Sequence, residues 1–495
     1  MSAVVFTILL CAAGYFAYAL IQMNMLPDKM LYPLLILTAA VTGLLGIFLL
    51  MNRGFTKPRR GMTSRVICVV LALVLAVGMV LGGRTVQKIH ETVDKVTEAP
   101  VIGAIVDLYV RKDDQVQSLE DAGGYTWGVT DAYDYENTQK ALDKVSEQLG
   151  YTPKVVKYTS VPEMVDALYD GKIQAFLVNN AYASVLSDLE NHSDFTEKTR
   201  VLEEFSIESE PVAQENVPQT EPPTPIQDGK KTLTMYLSGS DTRSQVLATS
   251  RSDVNIIAAV NLETRQVLLI NTPRDYYIPN PAYNGKLDKL THCGLSGVEC
   301  SVDALSDLYD EKIDYYAQIN FTGFETLIDA VGGITVNSET AFTTSGGVYI
   351  SQGENSLNGK QALEFARERY SLAQGDLARG NHQMAVIKAV IGKMTSSAVI
   401  TRFFDIMDSL QGMFATNMPQ SEISTIVKMQ LDDMSGWSVL SYAVSGTGDS
   451  RPTASIPGMN TYVMHPNKEM VAHAQELLDR LAAGEILTEA DVAVK

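Results

Sequence analysis

Three uncharged apolar runs open the chain, at Val4–Ile21, Leu31–Met51 and Val66–Gly83, and none contains Asp, Glu, Lys or Arg. Each is close to the ~20 residues that a helix needs to cross the hydrocarbon core of a bilayer. Lipid offers the backbone no hydrogen-bond partners, so an isolated run of this kind can span only as a helix. A cleaved signal peptide is the alternative for the first run, but it lacks a charged start and two more runs follow it. The loop between the second and third runs carries Arg53, Lys57, Arg59, Arg60 and Arg65 without an acidic residue, whereas the first loop has only Asp28 and Lys29. The positive-inside rule then places the amino terminus and the basic loop in the cytoplasm, and everything after Gly83 outside.

A chain of 495 residues exceeds the size at which a single core stops growing, so the outer part should hold more than one domain. Its net charge of −19 argues against nucleic acid as a partner, because phosphate backbones call for a basic surface. In so acidic a chain, a local gathering of arginines carries more meaning. Cys11 and Cys68 lie inside apolar runs and read as small hydrophobes. Cys293 and Cys300 are spaced so that a disulfide is possible outside the cell, and free thiols are equally compatible with the sequence. No histidine pair stands near them at the spacing of a zinc site.

From Val101 to Leu189 short apolar strands alternate with amphipathic helices. Strands are expected at Ile102–Val110, Trp127–Thr130, Lys154–Tyr158 and Ala175–Val178. Helices are expected at Asn137–Leu149, closed by Gly150, at Val161–Asp170, and at Ala181–Leu189. That alternation implies a parallel, doubly wound sheet. The run Leu108–Asp113, the triplet Trp127-Gly128-Val129 and the stretch Val165–Val178 resemble one lobe of an extracellular solute-binding protein. Such proteins hold a ligand between two lobes, and one lobe alone points to docking rather than to a small-molecule site. Ser206–Lys231 follows, rich in Glu, Pro, Gln and Thr, with too few apolar residues to offset the entropy of ordering; it reads as an extended linker.

The chemistry is concentrated beyond it. The strand Thr232–Leu237 runs into Ser238-Gly239-Ser240-Asp241-Thr242-Arg243, and Asp253 opens the strand Val254–Val260. A hairpin leads to Val267–Ile270, which runs out into Thr272-Pro273-Arg274-Asp275. Asp241, Asp253 and Arg274 thus stand at the ends of adjacent expected strands, where sites are commonly grafted onto a sheet, though ordinary turn chemistry would account for any one of them. Asn358 and Gln361 are spaced as a capping box for a helix that runs to Ala366. If the chain is extended beyond Ala366, Arg367 and Arg369 face the same way and can grip one anion. Asp376, Arg379 and Gln383 recur at i, i+3 and i+7, on one face of a further helix. Arginine suits phosphate because its planar fork binds two oxygens at once and stays charged.

In order and spacing these residues resemble the LytR-CpsA-Psr family of wall-polymer transferases. The features that carry the resemblance are Gly239-Ser240-Asp241-Thr242-Arg243, Asp253, Pro273-Arg274-Asp275, the helix Phe321–Val331 with Gly332-Gly333-Ile334, Arg367 with Arg369, and Gly375-Asp376 with Arg379 and Gln383. The family implies an α/β/α core with an apolar pocket for a polyprenyl chain, whose pyrophosphate sits at the mouth. It implies transfer of a glycan, such as teichoic acid or capsular polysaccharide, from that carrier to peptidoglycan. By position, Asp241 and Asp253 would hold Mg²⁺, directly or through water. Arg243, Arg274, Lys286, Arg367, Arg369, Arg379 and Gln383 would bind the pyrophosphate, and Arg274, Arg367, Arg369, Asp376 and Arg379 would serve catalysis. Asp376 would either orient Arg379 or act as base toward the attacking hydroxyl.

Two departures from the family pattern stand out: His382 where a second basic residue is usual before the glutamine, and Thr291-His292-Cys293-Gly294 where an aromatic and glycine ending is usual. The expected partners are a polyprenyl-pyrophosphate-linked glycan, peptidoglycan and the membrane, with no nucleic acid. A lipid-pyrophosphate hydrolase and a non-catalytic lipid-glycan sensor remain as alternatives. The expected fold class is α/β, laid out in five parts. Residues 1–83 form three transmembrane helices and 84–205 a small doubly wound lobe. The linker takes 206–231, an α/β/α domain with a central sheet takes 232–480, and a tail takes 481–495.

Overall fold

The computed structural model describes residues 2–51, 58–97, 103–130, 134–187, 189–207, 230–243, 247–369, 371, 376–400 and 402–493. The basic loop at 52–57 and most of the expected linker, at 208–229, lie outside these residues. The chain divides into two compact units. One comprises Met1–Glu98, Gly392–Asp408 and Met418–Gly436, and the other Ala99–Ile391, Ser409–Asn417 and Trp437–Lys495.

In the first unit the apolar runs form α1 (Ser2–Met23), α2 (Asp28–Met51) and α3 (Pro58–Thr97). Spans long and apolar enough to cross a membrane cover Ser2–Met23, Asp28–Leu50 and Val66–Lys88. Leu9, Ala12 and Ala13 of α1 pack with Ala72, Ala76 and Met79 of α3, and small residues on both sides let the helices approach closely. The third helix outlasts its apolar run and continues to Thr97, through residues that the sequence had assigned to the lobe. The same unit includes the helix Gln420–Asp433, whose Lys428 and Asp432 pair with Asp28 and Lys29 in the first turn of α2.

The lobe within the second unit is a five-stranded sheet. Its strands are β1 (Ala104–Arg111), β2 (Thr126–Thr130), β3 (Lys154–Tyr158), β4 (Ala175–Asn179) and β5 (Thr199–Ile207), in the order β3-β2-β4-β1-β5. Helix Tyr135–Leu149 packs on one face through Ala141, Leu142 and Val145, and helix Val161–Tyr169 on the other through Met164, Val165 and Leu168. The sheet is therefore covered on both sides, as a doubly wound layer should be. The expectation of an all-parallel sheet needs correction: β2, β3 and β4 are parallel, but β1 runs antiparallel to both β4 and β5. The cause is the connection between β1 and β2, which contains only a single helical turn, Leu119–Ala122, in place of a full crossover helix.

The larger domain is built on a six-stranded sheet. Its members are β6 (Thr232–Ser240), β7 (Ser252–Asn261), β8 (Gln266–Asn271), β9 (Tyr315–Asn320), β10 (Phe414–Thr416) and β11 (Ser438–Ala443), in the order β10-β9-β6-β7-β8-β11. Alternation along β7 divides the core. Ile257 and Ala259 face a cluster with helices Val298–Tyr309 and Lys468–Ala482, while Ile256 and Ala258 face helix Asp376–Met394. The result is an α/β/α sandwich. Residues beyond Ala482, set apart as a tail by sequence, return to its core. Leu487 and Val492 are buried there, and Leu487 exchanges backbone hydrogen bonds of 3.0 and 2.9 Å with the Gln266 side chain. Cys293 and Cys300 are both buried as free thiols.

Candidate active site at one end of the sheet

Strand register brings the two candidate carboxylates to the same end of the sheet. β6 and β7 are antiparallel, with Gly239 opposite Val254 and Ser240 opposite Ser252 across a bulge, so Asp241 leaves β6 where Asp253 enters β7. β8 ends at this level too, since Ile256 lies opposite Asn271. The chain then turns through Thr272, whose N–H donates to Asn255 O at 2.9 Å, and delivers Arg274.

Arg274 is only 8% exposed, and its Nη1 donates to Asp253 Oδ1 at 2.9 Å. Thr291 Oγ1 donates to the same oxygen at 3.3 Å. Arg251, also buried, places Nη2 at 3.5 Å from Asp241 Oδ2. Behind Arg274, Asp275 pairs with the buried Lys289 at 3.2 Å. The two carboxylates are unequal. Burial would raise the pKa of Asp253, but the positive charges of Arg274, Arg251 and Arg379 hold it well below the usual range. Burial and the negative charge of Asp253 raise that of Asp241, against the pull of Arg251 and Arg274. The cluster is thus an ionised acid beside one that holds its proton more readily.

Arg243 and Arg367 form a neighbouring patch. β9 runs parallel to β6 with Asn320 opposite Ser240, and Asn320 caps the helix Phe321–Ala330 by accepting from Gly323 N–H. The Phe321 ring at the start of that helix lies under the Arg367 guanidinium at 4.5 Å and under that of Arg243 at 5.8 Å. Arg243 also pairs with Glu325 at 3.1 Å. The capping box read at Asn358 and Gln361 is formed, and the helix Gly359–Arg367 ends with Glu368 extended. Arg367 is exposed, Glu368 buried and Arg369 half-buried. Burial would raise the pKa of Glu368, but the N–H groups of Ser371 and Ser345 hold it down at about 2. Glu368 is therefore an anchor for the 345 loop, set between the two arginines.

Arg379 and Gln383 lie on helix Asp376–Met394. Gly380 eases their approach: a Cβ there would stand 2.3 Å from Asn271 Nδ2, so a larger residue would displace the Asn271 side chain or the helix at the end of β8. His382, the departure noted in sequence, is not turned to the anion cluster. Its ring stacks on Phe365 at 4.1 Å and on Phe342 at 5.3 Å, and its Nδ1 meets Phe365 O at 3.1 Å. Burial pushes its pKa below the usual value, which suits a neutral ring that pins two helices together. Helix Asp376–Met394 begins at Asp376, whose side chain, like residues 372–375, lies outside the described structure.

The structure thus joins Asp241, Asp253 and Arg274 by direct contact, brings the charge of Arg379 to bear on Asp253, and joins Arg243 to Arg367 through Phe321. Lys286 stands exposed on the hairpin strand Lys286–Lys289. Sequence reasoning missed Arg251, Thr291, Lys289 and Phe321. Arg251 carried a readable signal: it is a cation two residues before Asp253, within reach of the same cluster of carboxylates. Among the described residues no group of three His, Cys, Asp or Glu side chains could hold a metal, so the two aspartates are at most a partial ligand set.

The sequence model of the LytR_cpsA_psr family matches residues 181–476, more than half of the chain. The chain belongs to the LytR-CpsA-Psr family. A curated relative from Oceanobacillus iheyensis, polyisoprenyl-teichoic acid–peptidoglycan teichoic acid transferase TagU, is 30% identical over 285 residues, covering 55% of this chain and 83% of that protein. The protein of the same name from Bacillus licheniformis is 34% identical over 192 residues, covering 39% of this chain and 61% of its own. Among solved structures, that of TagV from B. subtilis superposes with a TM-score of 0.43 at 22% identity, covering 52% of this chain and 99% of the other. The family match opens within the lobe and takes in both aspartates and all the arginines assembled above.

Proposed function

We propose that the protein is a transferase that moves a teichoic-acid-type glycopolymer, with its linking phosphate, from a polyprenyl-pyrophosphate carrier to peptidoglycan at the outer face of the membrane. The observation that carries this reading is the pairing of the buried Arg251 with Asp241 and of the buried Arg274 with Asp253 at the sheet end, in a chain whose curated relatives are named as teichoic acid transferases. Two buried guanidiniums are costly unless paired, and cationic groups poised beside partly exposed carboxylates suit a diphosphate. The three apolar helices anchor the protein in a membrane as a multi-pass bundle, and the catalytic domain lies outside.

The lipid tail has a natural bed. Leu237, Val254, Val260, Ile387, Ile391 and Trp437 are only partly buried between the sheet and helix Asp376–Met394, whose first turns carry Arg379. A prenyl chain along this wall would leave its diphosphate beside Arg274 and Arg379. There the guanidiniums neutralise the phosphate oxygens and stabilise the departing lipid phosphate. The acceptor hydroxyl attacks the phosphorus distal to the lipid, the bridging P–O bond breaks, and prenyl monophosphate leaves.

Asp241 and Asp253 fit a Mg²⁺ site in one respect that the structure supplies: burial and then the charge of Asp253 raise the pKa of Asp241, and a bound dication would offset both. Two carboxylates leave most of an octahedral shell to water and substrate phosphate, as is usual for this ion. When bound, Mg²⁺ would supply charge neutralisation of the diphosphate. Asp376 stands at the start of the helix that presents Arg379, and serves as the base toward the hydroxyl or orients that arginine.

The test is the identity of the lipid product. Purified protein in detergent is incubated with a prenyl-diphosphate-linked teichoic acid precursor and peptidoglycan fragments, with Mg²⁺ or with EDTA. Prenyl monophosphate formed only with Mg²⁺ and peptidoglycan is the expected outcome. Formation at the same rate without peptidoglycan would identify a hydrolase instead.

A further inference from the structure

Behind the site lies a buried polar cluster that the transferase reading does not use. Asp288, His292 and Ser455 are at most 2% exposed. His292 Nδ1 lies 2.7 Å from Asp288 Oδ1, and Ser455 Oγ lies 2.7 Å from the same His292 nitrogen and 3.0 Å from Asp288 Oδ1. Asp288 also accepts from the N–H of Ser455 at 3.1 Å, the N–H of Lys289 at 2.8 Å and Asn280 Nδ2 at 3.3 Å. This is not a nucleophilic triad. There the serine and the carboxylate occupy opposite ring nitrogens, whereas here both sit on Nδ1.

The cluster's neighbours suggest another role. On one side, the 289–291 segment supplies three contacts to the site. Lys289 pairs with Asp275 at 3.2 Å, Thr291 Oγ1 donates to Asp253 at 3.3 Å, and Thr291 N–H donates to Arg274 O at 2.8 Å. On the other side, Ser455 is followed by Ile456, which is 5% exposed and packs in the lobe's core with Val161, Tyr182, Val185 and Leu189. The lobe also touches the Arg251 segment, since Gly103 bridges Ala248 and exchanges backbone hydrogen bonds with Leu247 and Thr249.

We propose that Asp288, His292 and Ser455 are positioning residues that couple the seating of the lobe to the Asp253–Arg274 pair. Ile456 registers the lobe, Ser455 ties that register to Asp288 and His292, and the 288–292 segment sets Thr291 and Lys289 against the charged residues. The lobe is then a part of the catalytic apparatus, acting at a distance through the turn between strands Gly446–Thr453 and Ile456–Pro466. This inference rests on the transferase reading and extends it to the lobe.

The experiment compares Ser455→Ala, Ser455→Thr and Ile456→Ala in the full-length protein. Turnover is normalised to the number of sites that bind a non-transferable prenyl diphosphate, so that loss of folded protein does not register as loss of activity. Ser455→Ala is expected to lower normalised turnover roughly tenfold or more with the KM for the lipid substrate changed less than about twofold, the mark of misplaced groups at an intact binding site. Ser455→Thr restores the hydroxyl and most of the turnover. Ile456→Ala, which leaves the side chains of the polar cluster intact, lowers turnover in the same direction. Wild-type normalised turnover in folded Ser455→Ala overturns the proposal, and if that variant does not fold, wild-type turnover in Ile456→Ala does so. A wild-type protein without transfer activity would sink the transferase reading and this proposal with it; an active wild type with unaffected variants sinks this proposal alone.

Discussion

Asp241 and Asp253 have opposite signs in the stability of the fold. The pKa of Asp253 is depressed on folding, so its contribution is present above the unfolded carboxylate value of about 4 and is lost as pH falls through the folded value. That of Asp241 is raised, so its contribution is fully present below about pH 4 and is lost as pH rises through the folded value. At neutral pH the Asp241 charge therefore opposes folding. Asp241→Asn should raise the melting temperature at pH 7 while it abolishes transfer, and the gain should vanish below about pH 4, where the wild-type carboxyl is protonated in both states. A lowered melting temperature at pH 7 would show that the Arg251 contact outweighs the repulsion from Asp253. Both aspartates were legible in the sequence, because strand ends and Gly-Ser-Asp turns are local signals. The inequality between them was not, since it depends on burial and on Arg379 arriving from another element.

Helix Asp376–Met394 shows the same division between local and tertiary information. The spacing of Arg379 and Gln383 announced one helical face, and the helix is there. What holds it in place was hidden. His382 looked like a weakened basic position, yet it is a ring stacked against both Phe342 and Phe365, and Phe342 is remote in sequence. Gly380 gave no sign that it is needed against Asn271. Gly380→Val should leave the protein folded and bound to membranes but move the helix off β8, carrying Arg379 with it. Transfer should fall roughly tenfold or more, in keeping with the cost of small misplacements. Near wild-type turnover of this variant would mean that the helix can shift without displacing Arg379. The lobe teaches a related lesson: alternating strands and helices fixed its layers, but the direction of β1 was decided by a connection too short for a crossover helix.

At the scale of the molecule, the three long apolar helices were the most legible feature, because uncharged runs of that length have few alternatives in water or lipid. Their orientation has a direct test. A cysteine introduced by Thr56→Cys, in the basic loop, should react with a membrane-impermeant maleimide only after cells are permeabilised, above the background of the unsubstituted chain. Labelling in intact cells would invert the topology and place the catalytic domain inside. The attachment of the lobe, through the backbone pairing at Gly103 and through Ile456 with Leu295 and Met459, was the least legible feature. The central claim joins the anchor to the charge cluster, and wall attachment tests it most directly. Wild-type protein and Arg274→Ala are supplied with lipid-linked glycan labelled in the sugar, Mg²⁺ and peptidoglycan, and label on the peptidoglycan is counted. The account predicts labelled peptidoglycan with the wild type. It predicts at least a roughly hundredfold loss with Arg274→Ala, which removes the phosphate-stabilising cation and leaves Asp253 buried without its closest charge. Equal labelling by the two proteins, or label released only as free glycan, would contradict it.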